Sequence, residues 1–273
     1  MAIITVSREL AALGEETARE IAKILDCRLV RKDALEERMQ SFGAEAKDIK
    51  KYDERKSSFF ASLSNDRDGY LHYLQAALFA EAEAGNCVIV GRGANIILKK
   101  LPALLSVFLY AGSDVRIERV KSYFQCDERR AAQIIDRSDK DRGGFHRSVF
   151  DTDWRNPGNY HLSFNTGIFS PGDCAWTVAA IKDRAFGADA EGQNIAVLKE
   201  MLLGHKIKHR IFYELELPIR FLEVYVSGST VTLRGATNSQ GLLEAAVNAA
   251  TEEASAFTVC NEIQIIREYG IMP

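Results

Sequence analysis

The residues best equipped for chemistry are a set of arginines and an N-terminal turn that could hold phosphate. Seven arginines, Arg116, Arg119, Arg129, Arg130, Arg137, Arg142 and Arg147, fall within a window of about two helices and a loop. Arginine in preference to lysine suits phosphate, because its planar fork meets two oxygens at once. Near the N-terminus, Ile3-Ile4-Thr5-Val6 reads as a buried strand. Ser7-Arg8-Glu9-Leu10-Ala11-Ala12-Leu13-Gly14 follows, then Ala18, Ile21, Ala22 and Leu25 at helical spacing. A strand, a turn and a helix in that order can cradle phosphate, since backbone N–H groups and the helix N-terminus attract anions. Gly14 is the sole glycine of this turn, and Glu15-Glu16 occupy the place where Lys-Ser/Thr would complete a phosphate grip. Those glutamates favour the helix dipole but repel a phosphate in the same place, by about 1–4 kcal/mol at a few Å depending on the local dielectric. Arg8 is the one nearby cation that could replace the lysine.

Other candidate chemistry is thinner. His205 and His209 share metal-ligand spacing on an expected helix, but no third ligand accompanies them, so a solvated face is the better reading and no metal site is expected. The five cysteines are dispersed and form no CxxC pair, as in a reduced thiol set without a disulfide framework or zinc site. A net charge of −3 gives no electrostatic case for nucleic acid or an anionic membrane. No signal peptide opens the chain and no apolar run approaches transmembrane length, so a cytoplasmic protein without an integral membrane segment is expected.

The elements that must position these groups alternate. Asp26–Val30, Cys87–Gly91, Leu105–Tyr110 and His161–Thr166 read as further strands. Helices are expected over about 32–54, over Tyr70–Ala84 before the Gly85-Asn86 stop, over Val115–Tyr123 and over Glu128–Arg137, with 55–69 as a loop. This rhythm predicts an α/β fold: a parallel sheet flanked by helices, with its ligand at the carboxyl ends of the strands. Composition shifts at about 188–193, which reads as a linker. Beyond it come a helix over about 194–213 and a hairpin turning at Gly228-Ser229. A helix over Ser239–Glu253 and a strand over Val259–Ile266 complete a small αββαβ unit.

Several motifs now carry a resemblance: Ile4-Thr5-Val6-Ser7-Arg8-Glu9, then Val88-Ile89-Val90-Gly91-Arg92-Gly93-Ala94-Asn95, then the run from Arg137 to Arg142, then Asp153-Trp154-Arg155-Asn156-Pro157 with Tyr160 and Asn165-Thr166. Together they resemble the cytidylate-kinase-like family of nucleoside monophosphate kinases, which have a P-loop-kinase-like fold. The run Gly228–Gly235 resembles the hairpin of a BON domain. The resemblance implies domains at 1–187, with a lid at about 116–150, and at 194–268. It implies phosphoryl transfer from ATP to CMP or dCMP with Mg²⁺. The alternative is a catalytically inactive nucleotide-binding sensor or scaffold that acts through the BON-like domain and a ligand or protein partner of that domain.

By similarity, Arg137, Asp139 and Arg142 are the catalytic lid residues. Ser7, Arg8, Gly14, Arg116 and Arg119 are nucleotide-binding, and Gly91, Arg92 and Asn95 bind the acceptor. Relatives write the loop approximately as Ser-Arg-Glu-Tyr-Gly-Ser-Gly-Gly, with glycines where this chain has Ala11 and Leu13. Side chains there restrict φ and crowd a pyrophosphate.

Overall fold

The computed structural model describes residues 3–51 and 64–266, which divide into two compact units at Ile195/Ala196. The first unit holds a five-stranded, wholly parallel sheet in the order β2-β3-β1-β4-β5. Its strands are β1 (Ile3–Arg8), β2 (Arg28–Val30), β3 (Cys87–Val90), β4 (Leu104–Tyr110) and β5 (Leu162–Asn165). A central strand needs apolar or satisfied residues on both faces, and β1 is buried from Ile3 through Ser7. Ile4 and Val6 pack with Val88, Val90, Leu105, Val107 and Leu109. Helices α1 (Gly14–Ile24) and α8 (Pro171–Ala185) complete that core through Ala18, Ile21, Cys174 and Val178.

The remaining helices of this unit are α2 (Lys32–Ser41), α3 (Ala46–Lys51), α4 (Ser64–Glu83), α5 (Ala94–Ile97), α6 (Ser113–Phe124) and α7 (Glu128–Phe150). Three expectations change here. The charged stretch from Lys32 is broken by Gly43 at φ 102°, which ends α2 before α3 begins. The expected loop over 55–69 is helical from Ser64 onward, and its remainder lies outside the described residues. The helix expected to end at Arg137 instead runs unbroken to Phe150. Asp127 caps its start by accepting from the Arg130 N–H at 2.7 Å, and Asp151 ends it at φ 50°. The lid expected at about 116–150 therefore spans most of α6 and all of α7, with its Arg137–Arg142 run inside one long helix.

Residues 188–193, read from composition as a linker, lie in α9 (Ala188–His209). Asp189 and Glu191 in its first turn suit a helix N-terminus, and Lys182 pairs with Glu191 at 3.1 Å. In the second unit, β6 (Arg220–Ser227) and β7 (Thr230–Thr237) form an antiparallel hairpin around Gly228-Ser229. Helix α10 (Gln240–Glu253) then crosses to β8 (Thr258–Ile265), which runs parallel to β7. Val231, Leu233 and Ile263 of the sheet pack with Ala246, Ala249 and Ala250 of α10 and with Ile207 and Ile211. Gly235 is needed at the open end of the hairpin, because a Cβ there would lie 2.9 Å from Ile219 Cγ2 and 3.1 Å from the Arg220 carbonyl. The element order is the αββαβ order expected.

No helix among the described residues is long and apolar enough to cross a membrane.

Candidate functional site

The parallel strands bring their carboxyl ends to one edge, and the segments leaving β1, β3, β4 and β5 meet there. The segment leaving β1 is the candidate phosphate loop. Ala11 and Leu13 adopt φ 61° and 52°, left-handed conformations that side chains other than glycine enter at a cost of about 1–2 kcal/mol. The chain thus keeps the backbone path that glycines would favour without having the glycines. Gly14, by contrast, opens α1 at negative φ, and sterics explain it. A Cβ there would sit 2.4–2.7 Å from Arg8 Cγ and Cβ, so the Arg8 side chain lies directly over the start of α1. Arg8 Nη2 is 3.9 Å from Glu15, and Arg31 reaches the same carboxylate at 3.2 Å. Glu15 is therefore partly neutralised by two arginines.

Behind the loop stands a cluster of four charges. Glu9, 8% exposed, meets Arg116 at 3.2 Å and Arg155 at 2.8 Å. Arg116, 4% exposed, also holds Asp139 through both carboxylate oxygens at 2.8 and 2.9 Å, and its Nε donates to the Leu10 carbonyl at 2.9 Å. Arg155 closes the ring with a 2.7 Å bond to Asp139 and lies over the Trp154 ring at 5.2 Å. Two acids and two bases cancel, as buried charges must to escape a large desolvation cost. Arg119 binds the loop as well, donating to the carbonyls of Ala11 at 2.9 Å and Thr166 at 2.6 Å and to the Thr166 hydroxyl at 3.1 Å. Burial lowers its pKa, opposed by Glu16. Arg116 and Arg119 thus clamp the loop through the Leu10 and Ala11 carbonyls, while the N–H groups of Glu9 and Ala12 donate to the Leu109 and Glu9 carbonyls.

On the lid helix, Asp139 and Arg142 share a face with the cluster. Arg142 donates to Ser138 at 2.6 Å and lies 6.0 Å from the Trp154 ring centre. Arg137 lies apart from them, exposed on α7. Trp154 and Tyr160 are buried with Phe108 and form the base under the lid helix. In the segment after β3, where acceptor binding is expected, Gly91, Arg92 and Gly93 take φ 77°, 58° and 66° in succession, and a Cβ on Gly93 would collide with Phe150 at 2.2 Å. Arg92 is buried, bonded to the Tyr70 hydroxyl at 3.1 Å and to Glu36 at 2.8 Å. Asn95, 5% exposed, donates to the Asn159 carbonyl at 3.3 Å, while its Oδ1 has no hydrogen-bond partner. Ser7 is buried in β1, next to Phe108 of β4 in the register.

Two members of the site, Glu9 and Arg155, carried no assigned role in the sequence reading, although both lie inside the motifs that carry the resemblance. Their signal was charge without an obvious solvent-facing pattern. Cysteine chemistry is unsupported: burial pushes the Cys87 and Cys174 thiols up to about 12 and about 11. His161 accepts from the Ser106 N–H at 3.0 Å and is structural.

Comparison with known proteins places this geometry. A family model described as the cytidylate kinase-like family matches residues 3–168. No curated protein sequence matches the chain. Among solved structures, an uncharacterized protein from Eubacterium ventriosum is similar at 21% identity and a TM-score of 0.50, over 68% of this chain and 98% of its own. A shikimate kinase from Bacteroides thetaiotaomicron is similar at 14% identity and a TM-score of 0.40, over 67% and 97%. Another shikimate kinase, from Acinetobacter baumannii in complex with shikimate, is similar at 15% identity and a TM-score of 0.39, over 68% and 96%. The family match covers the loop, the lid helix and the strand-end segments described above. The chain belongs to the cytidylate kinase-like family.

Proposed function

We propose that this protein binds nucleotides between the loop after β1 and the lid helix α7, and transfers a phosphoryl group from ATP to CMP or dCMP. The observation that carries this reading is the loop itself. Ala11 and Leu13 hold left-handed backbone just before the N-terminus of α1, over which the Arg8 side chain lies, while Arg116 and Arg119 fix the carbonyls of Leu10 and Ala11. Catalysis of this kind is positioning plus charge neutralisation. An oxygen of the acceptor monophosphate bonds to the γ-phosphorus, the bond to the β–γ bridging oxygen breaks, and ADP leaves. Arg8 at the start of α1 and Arg142 on the lid are the cations we assign to the phosphates. Arg116 and Asp139 position the loop and lid. The buried Asn95 Oδ1 would accept from the exocyclic amine of cytosine, which supports a cytidylate acceptor.

No cluster of three or more His, Cys, Asp or Glu suited to a metal stands among the described residues, and Glu9 and Asp139 are already matched by arginines. That arrangement suits a Mg²⁺ ion that arrives on the triphosphate and takes most of its oxygens from phosphate and water. Arg137, exposed and away from the cluster, is the weakest of the catalytic assignments.

A second reading, a nucleotide-binding sensor without turnover, is favoured by one observation: the loop lacks a lysine, and its nearest buried charges cancel one another. In either reading the second unit is BON-like and would engage a ligand or protein partner, in a cytoplasmic setting. The experiment that separates them is a coupled ADP-release assay with CMP, dCMP and UMP, run beside calorimetric titration. Turnover with the cytidylates that is lost in Arg142→Ala supports the transferase; binding without turnover supports the sensor.

A further inference from the structure

The sheet of the second unit runs β6-β7-β8, so it has two edges, and they differ. On β6 the register shifts between Arg220 and Glu223, and Phe221 there takes φ 54°. A bulge flanked by charges works against pairing with a further strand. β8 has no such guard. Its residues Thr258–Ile265 pair with Thr230–Thr237 of β7 in unbroken parallel register, and the strand carries no lysine, arginine or proline. We propose that this edge pairs with the β8 edge of a second copy of the chain, antiparallel and about a two-fold axis at Asn261.

Hydrogen bonding fixes which groups face outward. The N–H groups of Thr258 and Ile266 donate inward, to the Ser229 and Thr237 carbonyls at 2.8 Å. Residues of a parallel ladder alternate, so the even-numbered residues of β8 bond to β7. Val259, Asn261, Ile263 and Ile265 therefore turn their N–H and C=O groups to the open edge. Among the described residues no strand lies beyond them. One of these donors is held locally, the Ile263 N–H donating to the Asn261 side-chain oxygen at 2.9 Å. Rotation of that side chain frees it for a bond between strands.

The residues of the strand select the partner. A two-fold pairing sets outward residues against outward residues, which puts its centre on a single residue. Centred on Asn261, it sets Val259 against the partner's Ile263, Cys260 against the partner's Glu262 and Thr258 against the partner's Gln264. Just before the strand, Phe257 comes level with the partner's Ile265, a side chain 44% exposed in the single copy. Two kinds of rung result: apolar against apolar on the side of the core, and polar or small against polar on the other, with no charge against its like. Glu262, the one charged residue of β8, is already matched by Arg234 at 2.5 Å. Centring on Glu262 instead would set that carboxylate against its own copy. The strand is thus self-complementary, as an isologous contact requires and as a foreign strand would not need. One short ladder lies at the low end of interface size, so association in the micromolar to millimolar range is expected.

This inference does not rest on the nucleotide reading and is tested on the intact protein. Sedimentation equilibrium from micromolar to millimolar concentration is expected to show monomer and dimer in exchange. Amide hydrogen exchange at Val259 and Asn261 should slow severalfold at the higher concentration, with β6 unchanged. Asn261 is exposed and sits at the two-fold centre, so a charge placed there meets itself. Asn261→Lys and Asn261→Glu should each resist denaturant like the parent yet associate severalfold more weakly or not at all. An equimolar mixture of the two should associate at least as well as the parent. A protein that stays monomeric at millimolar concentration overturns the proposal and leaves the edge to a strand of a different protein. A dimer that both variants retain, a mixture as weak as its components, or protection that appears elsewhere but not in β8 overturns it as well.

Discussion

Arg116 and Asp139 answer each other: one arginine nitrogen donates to both oxygens of the carboxylate, at 2.8 and 2.9 Å. The pair joins α6 to the lid helix. Arg116 also holds Glu9 and the Leu10 carbonyl, so a single guanidinium ties the lid helix to the phosphate loop. Both residues direct their side chains to partners within the fold. We assign them positional work.

Removing Arg116 should therefore damage the fold before it damages binding. Arg116→Met leaves Glu9 and Asp139 buried with Arg155 as their shared partner, and breaking a buried pair this way costs about 3–5 kcal/mol. Chemical denaturation should show a loss of that order. Arg137→Ala, at an exposed position, should stay within about 0.5 kcal/mol of the parent. Equal stability of the two variants would refute the clamp.

The loop carries backbone strain that glycine would relieve. Ala11→Gly and Leu13→Gly each place a permissive residue at φ 61° and 52°. Each is expected to be neutral or to stabilise by up to about 1 kcal/mol despite the entropy glycine adds to the unfolded chain. The double variant should also bind ATP more tightly, since it removes two side chains from the phosphate path. A destabilised Leu13→Gly with unchanged ATP affinity would show that the leucine is held there by packing.

Acid should loosen the second unit. Burial, aided by His209 and Lys208, pushes the His205 imidazole down to about 4. The unfolded chain takes up a proton near pH 6.5 and the folded chain resists it until about 4. The contribution of His205 to stability is thus complete above 6.5 and is lost as pH falls toward 4, by at most about 3 kcal/mol. Hydrogen exchange of α10 and β7 amides between pH 7.5 and 4.5 reads this unit alone. His205→Gln should flatten the pH dependence; an unchanged profile would assign it to other groups.

Arg8 is the test of the missing lysine. Its chain lies over Gly14 at the opening of α1. Arg8→Ala should weaken ATP binding about tenfold or more and leave CMP binding nearly unchanged. Equal losses for both nucleotides would indicate a damaged loop instead of a lost phosphate contact.

Periodicity and turn residues made much of the fold legible in the sequence. The β-branched runs at Ile3–Val6 and Cys87–Val90 are strands, the Gly85-Asn86 stop ends α4 with φ 74° and 37°, and Gly228-Ser229 turns the hairpin. Boundaries failed where charge outweighed pattern. The helix expected to end at Arg137 continues to Phe150, and Gly143 within it lets Arg147 and the Trp154 indole approach within 3.3–3.5 Å of the site of its missing Cβ. The site was legible as a set of arginines near a loop, but not in the partners they chose. Glu9 pairs with Arg116 and Arg155, each more than a hundred positions away, which no local spacing reveals.

The central claim is that the cleft between the β1 loop and the lid helix takes nucleotides. Isothermal titration of the protein with ATP·Mg²⁺ and CMP, separately and together, measures this most directly. The account predicts saturable binding of each nucleotide, weakened at least tenfold for the pair in Arg142→Ala. Absence of heat at millimolar concentrations of both, with the protein shown to be folded, would contradict it.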